Sequence, residues 1–427
     1  MRDATSRPPL SALSRHNLVV WALQCLFVPL ALLLSGGKGA AGSTILPAAL
    51  ALAGVVVGIA YAARMRSGWY GVQACMLAGV FLGGYFSNRV LFVGEAAAMI
   101  YLSFSLYARE VREEFGVHAA PREIGVLVVL LAMCVVLALV RPHFLDQGRL
   151  LDLVRQFSMV GIMAVGMTMV IALGGIDLSV GSVVGLSGCL AMLAYAGGAP
   201  LWAAVLVALA VGGASGGFNG GLVSRFRMPP FIITLGTMTM ARSLANVVTG
   251  GKPVVLDDMA REGALRAIAW SDTLGVPNPV WIMALAVIAG HVFMTRMRTG
   301  RHVYYIGANE EAARLSGLNV VGVKWLIYGV CGALAGLAGM VQAARVASGQ
   351  PTAGMGDELR VIAAVIIGGA SFAGGEGTVL GAVLGAAIMG VLRQGLVLLG
   401  VEPFWQGFVQ GAVIIGAVAL DMLRRRR

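Results

Sequence analysis

A carboxylate and two hydroxyls stand in one of the most apolar parts of this sequence. The stretch is Gly174-Gly175-Ile176-Asp177-Leu178-Ser179-Val180-Gly181-Ser182, between apolar runs at Ser158–Leu173 and Val183–Tyr195. Each run is read as a membrane-crossing segment. Polar groups at membrane depth cost several kcal/mol when unsatisfied, so these must be answered locally. Asp177 or Ser179 can accept from the first free N–H groups of the following helix, while Gly174, Gly175 and Gly181 permit a tight reversal. The segment reads as a polar hinge between two helices. Two roles are open to it: a plain helix cap, or a part in transport, because intramembrane carboxylates are functional candidates.

Other residue types that do chemistry are sparse. Cys25, Cys75, Cys134, Cys189 and Cys331 lie in or beside apolar runs without CxxC spacing, and the five histidines show no HxxxH pair. These patterns point to core thiols and to neither a metal site nor a cofactor. An intramembrane enzyme would want a nucleophile with a base, and none is visible. The sequence has no G-x-x-x-x-G-K-[ST] pattern, so no P-loop equips it to hydrolyse ATP. Asp177, Arg242, Glu376 and Arg393 are the ionisable residues inside or at the edges of the later apolar runs. They are few for an ion-coupled secondary transporter of small polar solutes, the competing class.

The elements that must position these residues follow from composition. With 58% hydrophobic and 12% charged residues in 427, the chain is too apolar for a soluble multidomain protein. Repeated apolar windows broken by Gly, Pro or Arg predict an all-α, polytopic transmembrane bundle. The 60 glycines suit close helix packing in lipid. The net charge of +11 does not point to nucleic acid, because the arginines sit in short loops between apolar runs.

In order, apolar spans are read at Leu18–Leu34, Thr44–Ala63, Tyr70–Phe86 and Val90–Tyr107, then a mixed-charge linker at Ala108–Glu123. The first run is longer than a signal-peptide core, which favours an uncleaved helix. After the span Ile124–Val140, Arg141–Gln156 is read as an amphipathic connector. Beyond the hinge come spans at Leu201–Val223, from Pro230 onward, Val280–Met294 and Val320–Val341, a short run at Leu359–Gly369, then Leu380–Leu399 and Phe404–Leu423. On the span that opens at Pro230, Thr234, Thr237, Met238, Ala241 and Ala245 share one face, open to helix packing or to pore lining. Gly250–Pro279 is the longest polar loop. With a cytoplasmic N-terminus, alternation puts Arg64/Arg66, Arg225/Arg227, Arg296/Arg298/Arg301 and Arg424–Arg427 all on the cytoplasmic side, as the positive-inside rule demands. That agreement makes Leu359–Gly369 a short or broken crossing and brings the count to about fourteen spans, with both termini cytoplasmic.

On this topology Gly300–Asn319 is cytoplasmic. Asn309 reads as an N-cap, Glu310 and Glu311 suit the positive end of a helix dipole, and Gly317 suits a C-terminal cap. A helix of about two turns is too short to be stable alone and needs a surface to dock on. That surface is either a partner or the membrane face of its own subunit.

The run Gly166-Met167-Thr168-Met169-Val170 leading into Gly174–Ser182 resembles the signature of the ribose/xylose-type sugar permeases of ABC importers. Asn219-Gly220 before Pro230–Gly236, Gly307–Gly317, Ile366–Gly375 and Pro403-Phe404-Trp405-Gln406 with Gly411-Ala412-Val413 are similar to that family in the same order. The resemblance covers about Arg141–Leu423 and divides the chain into extra N-terminal helices (1–123) and a permease core of about ten helices (124–427). It implies a multi-pass subunit of the bacterial inner membrane, surrounded by lipid, that carries a small sugar such as ribose or xylose. Its implied partners are a second permease copy, a cytoplasmic ABC ATPase and an extracytoplasmic sugar-binding protein. It also implies that Asn309, Glu310, Glu311, Ala312, Ala313, Arg314, Leu315, Ser316 and Gly317 form the coupling helix that meets the ATPase. Gly175, Asp177, Ser179, Gly181, Asn219, Thr234 and Thr237 are assigned to the translocation pathway or its hinge.

Overall fold

The computed structural model describes residues 122–256 and 259–425. The spans expected between Leu18 and Tyr107, nearly all of the linker after them, and the last two arginines lie outside the described residues. The chain divides into two units, Met1–Leu150 and Leu151–Arg427.

In the first unit, α1 (Arg122–Val140) is apolar on every side, with Val129, Val136, Leu139 and Val140 exposed as on a lipid-facing helix. A short 3₁₀ turn, Pro142–Leu145, starts at a proline and leads into α2. Helix α2 runs unbroken from Gln147 to Ala172. The expected connector at Arg141–Gln156 is therefore corrected from residue 147 onward: it is the first part of a long helix. Its charges do not interrupt the helix because they are neutralised, Arg149 with Asp146 at 3.5 Å and Arg155 with Asp152 at 3.2 Å.

In the second unit, α2 is buried continuously from Gly161 to Ala172. It is followed by α3 (Val180–Ala196), α4 (Leu201–Arg225) and α5 (Pro230–Thr249). The expected polar loop at Gly250–Pro279 is more ordered than its composition suggested. It holds the strand β1 (Val254–Val255), helix α6 (Met259–Ala269), and a hairpin of β2 (Asp272–Thr273) with β3 (Val276–Pro277). Then come α7 (Asn278–Arg296), α8 (Arg298–Ala308), α9 (Glu310–Leu315) and α10 (Val320–Val346). Strand β4 (Ser348–Gly349) pairs antiparallel with β1. Helices α11 (Asp357–Ile367), α12 (Val379–Leu398) and α13 (Pro403–Arg425) complete the described chain.

The architecture is helical and polytopic. Among the described residues, α1, α2, α4, α5, α7, α10 and α12 are the 7 helices long and apolar enough to cross a membrane. Helix α3 and the stretch Pro403–Val418 of α13 are apolar but shorter. At 11 residues α11 rises only about 16 Å, roughly half of a hydrocarbon core.

Helices α4 and α10 form the tightest seam. Gly212, Gly216 and Gly220 on α4 recur at a spacing that keeps them on one face, and Tyr328, Gly332 and Gly336 of α10 lie against it. A Cβ on Gly216 would collide with the Tyr328 carbonyl, and one on Gly332 with the Gly212 carbonyl. Small residues give this approach where lipid supplies no hydrophobic drive between helices.

Candidate functional site

The end of α2 and the start of α3 are shaped by their own sequence. Gly174 takes φ +82°, which favours glycine, and the Gly175 N–H returns to the Val170 carbonyl at 2.9 Å. Asp177 then turns the chain: its Oδ1 accepts from the Ser179 N–H at 2.9 Å and the Ser179 hydroxyl at 2.6 Å. Ser179 holds the N-cap position of α3 but makes no side-chain cap bond there. The hinge is thus closed by an Asx-type turn rather than by a cap reaching into the helix.

Residues from two other helices complete this turn. Asn219 of α4 donates to the Ser179 Oγ at 3.0 Å and lies 3.4 Å from Asp177 Oδ1. Thr237 of α5 donates to Asn219 Oδ1 at 2.6 Å. Four of the seven residues assigned to the pathway or hinge are therefore one hydrogen-bonded chain, Thr237 to Asn219 to Ser179 to Asp177, and all four are buried. The second carboxylate oxygen of Asp177 is buried without a hydrogen-bond partner. Thr234 is buried too, but its hydroxyl returns to the Pro230 carbonyl of its own helix at 2.9 Å. A Cβ at Gly175 would meet the Tyr328 hydroxyl, and one at Gly181 would meet Glu358 and the Gly354 carbonyl.

A separate polar space lies elsewhere in this unit. A cavity of about 230 Å³ opens between α2, α10, α11 and α12. Gln156 and Phe157 come from α2, Gln342 and Arg345 from α10, Asp357 and Arg360 from α11, and Met389 and Arg393 from α12. Close packing sets the α11–α12 wall: a Cβ on Gly385 would strike the Ala364 carbonyl, and one on Gly368 the backbone of Gly381. Arg360 pairs with Asp357 at 2.5 Å. Next to Gln156, the buried Arg155 holds Asp272 at 2.8 Å, and its guanidinium stacks 5.4 Å from the Trp270 ring. The Trp270 indole in turn donates to the Arg345 carbonyl at 2.7 Å. The hairpin is so fastened beside the cavity.

None of the residues assigned to the pathway from the sequence lines this cavity. Arg393 stood out in the sequence only as one of a few ionisable residues in the apolar runs. Arg345, Arg360 and Gln342 were not singled out. The available signal was the same for each of the arginines: an ionisable side chain in or at the end of an apolar run is a functional candidate.

The segment expected to couple to an ATPase is a small capped unit. The Asn309 side chain accepts from the Ala312 N–H at 2.9 Å. After Leu315, Gly317 adopts φ +81° and the Leu318 N–H returns to the Ala313 carbonyl at 3.1 Å. Glu310 bonds Arg314 at 2.9 Å and Lys324 of α10 at 2.6 Å. Burial acts to raise the Glu310 pKa, but the lowering by Lys324 and Arg314 prevails and holds it below its ordinary value. Ala313 faces the core, whereas Glu311, Ala312, Arg314, Ser316 and Gly317 are exposed and Leu315 is 84% exposed. Just before this unit, Gly307 packs against the end of α2, and the Gly375 N–H donates to the Ala172 carbonyl at 2.8 Å.

A sequence model of the family described as "Branched-chain amino acid transport system / permease component" matches residues 149–418. The ribose import permease protein RbsC of Escherichia coli strain K12 is 42% identical over 295 residues, 69% of this chain and 92% of that protein. The D-allose transport system permease protein AlsC of the same strain is 39% identical over 285 residues, 66% of this chain and 85% of that one. The xylose transport system permease protein XylH, again of that strain, is 34% identical over 342 residues, covering 66% of this chain and 87% of its own. No solved structure matches the chain. With its long apolar helices and these relatives, the chain belongs to the ribose- and xylose-type sugar permeases of ABC importers.

Proposed function

We propose that this chain is the translocating subunit of an ATP-driven importer and that it passes a small monosaccharide across the bacterial inner membrane. The observation that carries the reading is the cavity, where polar side chains from four helices surround a space of about 230 Å³. That is smaller than the roughly 300–1,000 Å³ of pockets for drug-sized ligands, and suits one small solute. The sugars printed in the relatives' names support carbohydrate as the solute class.

The hinge residues do not touch the solute in this reading. They tie the joint between α2 and α3 to α4 and α5, so the helix bearing Gln156 and Phe157 is anchored at its other end. Because the sequence has no P-loop, hydrolysis belongs to a separate ABC ATPase. Helix α9 meets that ATPase through its exposed Ala312 and Leu315 side chains, with Ala313 holding it to its own subunit. The arginine-rich loops orient both termini and α9 to the cytoplasm, and turn the α6–hairpin segment toward an extracytoplasmic sugar-binding protein. A second permease copy completes the assembly. The spans expected before residue 124 act as an appendage that stabilises the subunit or selects a partner.

The test is uptake. Cells lacking the gene should lose ATP-dependent import of one small sugar from a radiolabelled panel, and the full chain purified from its own cells should retain a P-loop ATPase. Import that survives ATP depletion but collapses with a protonophore would instead mark a secondary transporter. Unchanged import of the whole panel would overturn the proposal.

A further inference from the structure

The charged groups of the cavity are unequal in sign. Arg345, Arg360 and Arg393 face it against one carboxylate, Asp357, which is already taken by Arg360 at 2.5 Å. Among the described residues, Arg345 and Arg393 have no carboxylate within 4.0 Å. Counting the adjoining cluster does not reverse the balance. Arg155 with Asp152 and Asp272 brings the sum to four arginines against three aspartates. Arg393 is exposed and Arg345 partly so, which leaves water to answer them until a solute takes its place, and each guanidinium offers five N–H donors and no acceptor.

A neutral sugar answers such a lining badly. Its hydroxyls must donate as well as accept, and the cavity offers few acceptors: the amide oxygens of Gln156 and Gln342 and what Arg360 leaves of Asp357. A carboxylate on the solute supplies the missing acceptor, because it takes paired N–H groups from a guanidinium in the strong, charge-assisted geometry. Resting on the permease reading above, we propose that the solute is a carbohydrate bearing a carboxylate, an aldonate or uronate. Arg345 and Arg393 receive its acid group, while Gln156 and Gln342 exchange hydrogen bonds with its hydroxyls.

The full chain in nanodiscs of phosphatidylcholine, which carries no net charge, provides the test through ligand-induced thermal stabilisation. D-gluconate and D-galacturonate are titrated beside D-gluconate's neutral parent D-glucose, D-ribose, acetate and inorganic phosphate. At least one sugar acid should stabilise the protein at a concentration about tenfold or more below that of any neutral sugar. Arg345→Gln and Arg393→Gln should each weaken that response about tenfold, Arg393→Lys less so, with ligand-free melting midpoints unchanged. Arg266→Gln, which removes an exposed partner of Glu262 on α6, should leave the response intact. A neutral sugar that binds as tightly as either acid overturns the inference and leaves the permease reading standing. Acetate or phosphate acting as strongly as the sugar acids overturns it as well, as a plain anion site. If no solute stabilises the chain, the inference falls, and the loss or retention of sugar import on gene deletion judges the permease reading separately.

Discussion

Around Asp177, polar side chains from a loop and two helices are 0–5% exposed and bonded mainly to one another. Around Arg345 and Arg393, polar side chains from four helices face an open space instead, and apart from the Arg360–Asp357 pair their hydrogen bonds are left to whatever fills it. Both regions are set among apolar helices, where unmet polar groups are expensive. The first meets that cost within the fold, with short side chains that have little freedom to lose. The second uses long arginines and glutamines, which the fold holds less closely. In the proposed importer the closed network is the joint and the open one the place for the solute.

Substitutions should separate the two. The largest loss of stability is expected for Asn219→Leu, which strips a partner from both Thr237 and Ser179 at about 1–3 kcal/mol per group left unmet. Thermal unfolding of the detergent-purified protein measures it, and an unchanged midpoint would mean the network is ornamental. Asp177→Asn, which keeps an acceptor for Ser179, should lose less than Asp177→Leu. Next is Gly216→Leu at the α4–α10 seam, where overpacking costs about 1–3 kcal/mol. Gly236→Leu on α5, where an added Cβ meets nothing within 4 Å, is its neutral counterpart.

At the cavity the signs of the two readouts should part. Arg393→Gln should change the melting midpoint little, since its side chain is exposed, within about 0.5 kcal/mol, while sugar import falls severalfold. A matching loss of stability would make Arg393 structural. On α9, Leu315→Glu should leave folding intact and reduce ATPase co-purification. Ala313→Arg should instead lower the yield of folded protein, because Ala313 faces the chain's own core. The smallest effect is electrostatic. Glu310 is held below its ordinary value of 4.5, so its ion pairs stabilise the fold above that value and are lost as pH falls through the depressed pKa. The exposed setting limits this to about 0.2–1 kcal/mol. The difference in melting between the wild-type chain and Glu310→Gln should be present at neutral pH and shrink as the pH falls below 4.5 and through the depressed pKa.

What could be read from the sequence was local. The Asp177–Ser179 turn, the Asn309 cap and the Gly317 stop each join residues a few positions apart, so residue types alone announce them. Asn219 and Thr237 could be seen to need partners, but their bonds bridge 40 and 18 residues, and only packing chooses such partners. The cavity was hidden for the same reason: its polar lining is scattered from Gln156 to Arg393. Arg155 looked like the polar face of a connector because its second partner, Asp272, lies 117 positions away. On α9 the alanines are chemically alike, and only the fold decides that Ala313 is covered and Ala312 is not.

The glycine seam between α4 and α10 also has a mechanical meaning. Backbones that touch without intervening side chains have nothing to compress, and sliding α10 by one residue, about 1.5 Å, would drive its larger neighbours into α4. The pair is therefore packed to behave as one body. At the foot of α10, Lys324 grips Glu310 of α9 at 2.6 Å, and α4 carries Asn219, which grips the joint after α2. In the proposed importer, a push on α9 would pass through α10 and α4 to the joint at Asp177.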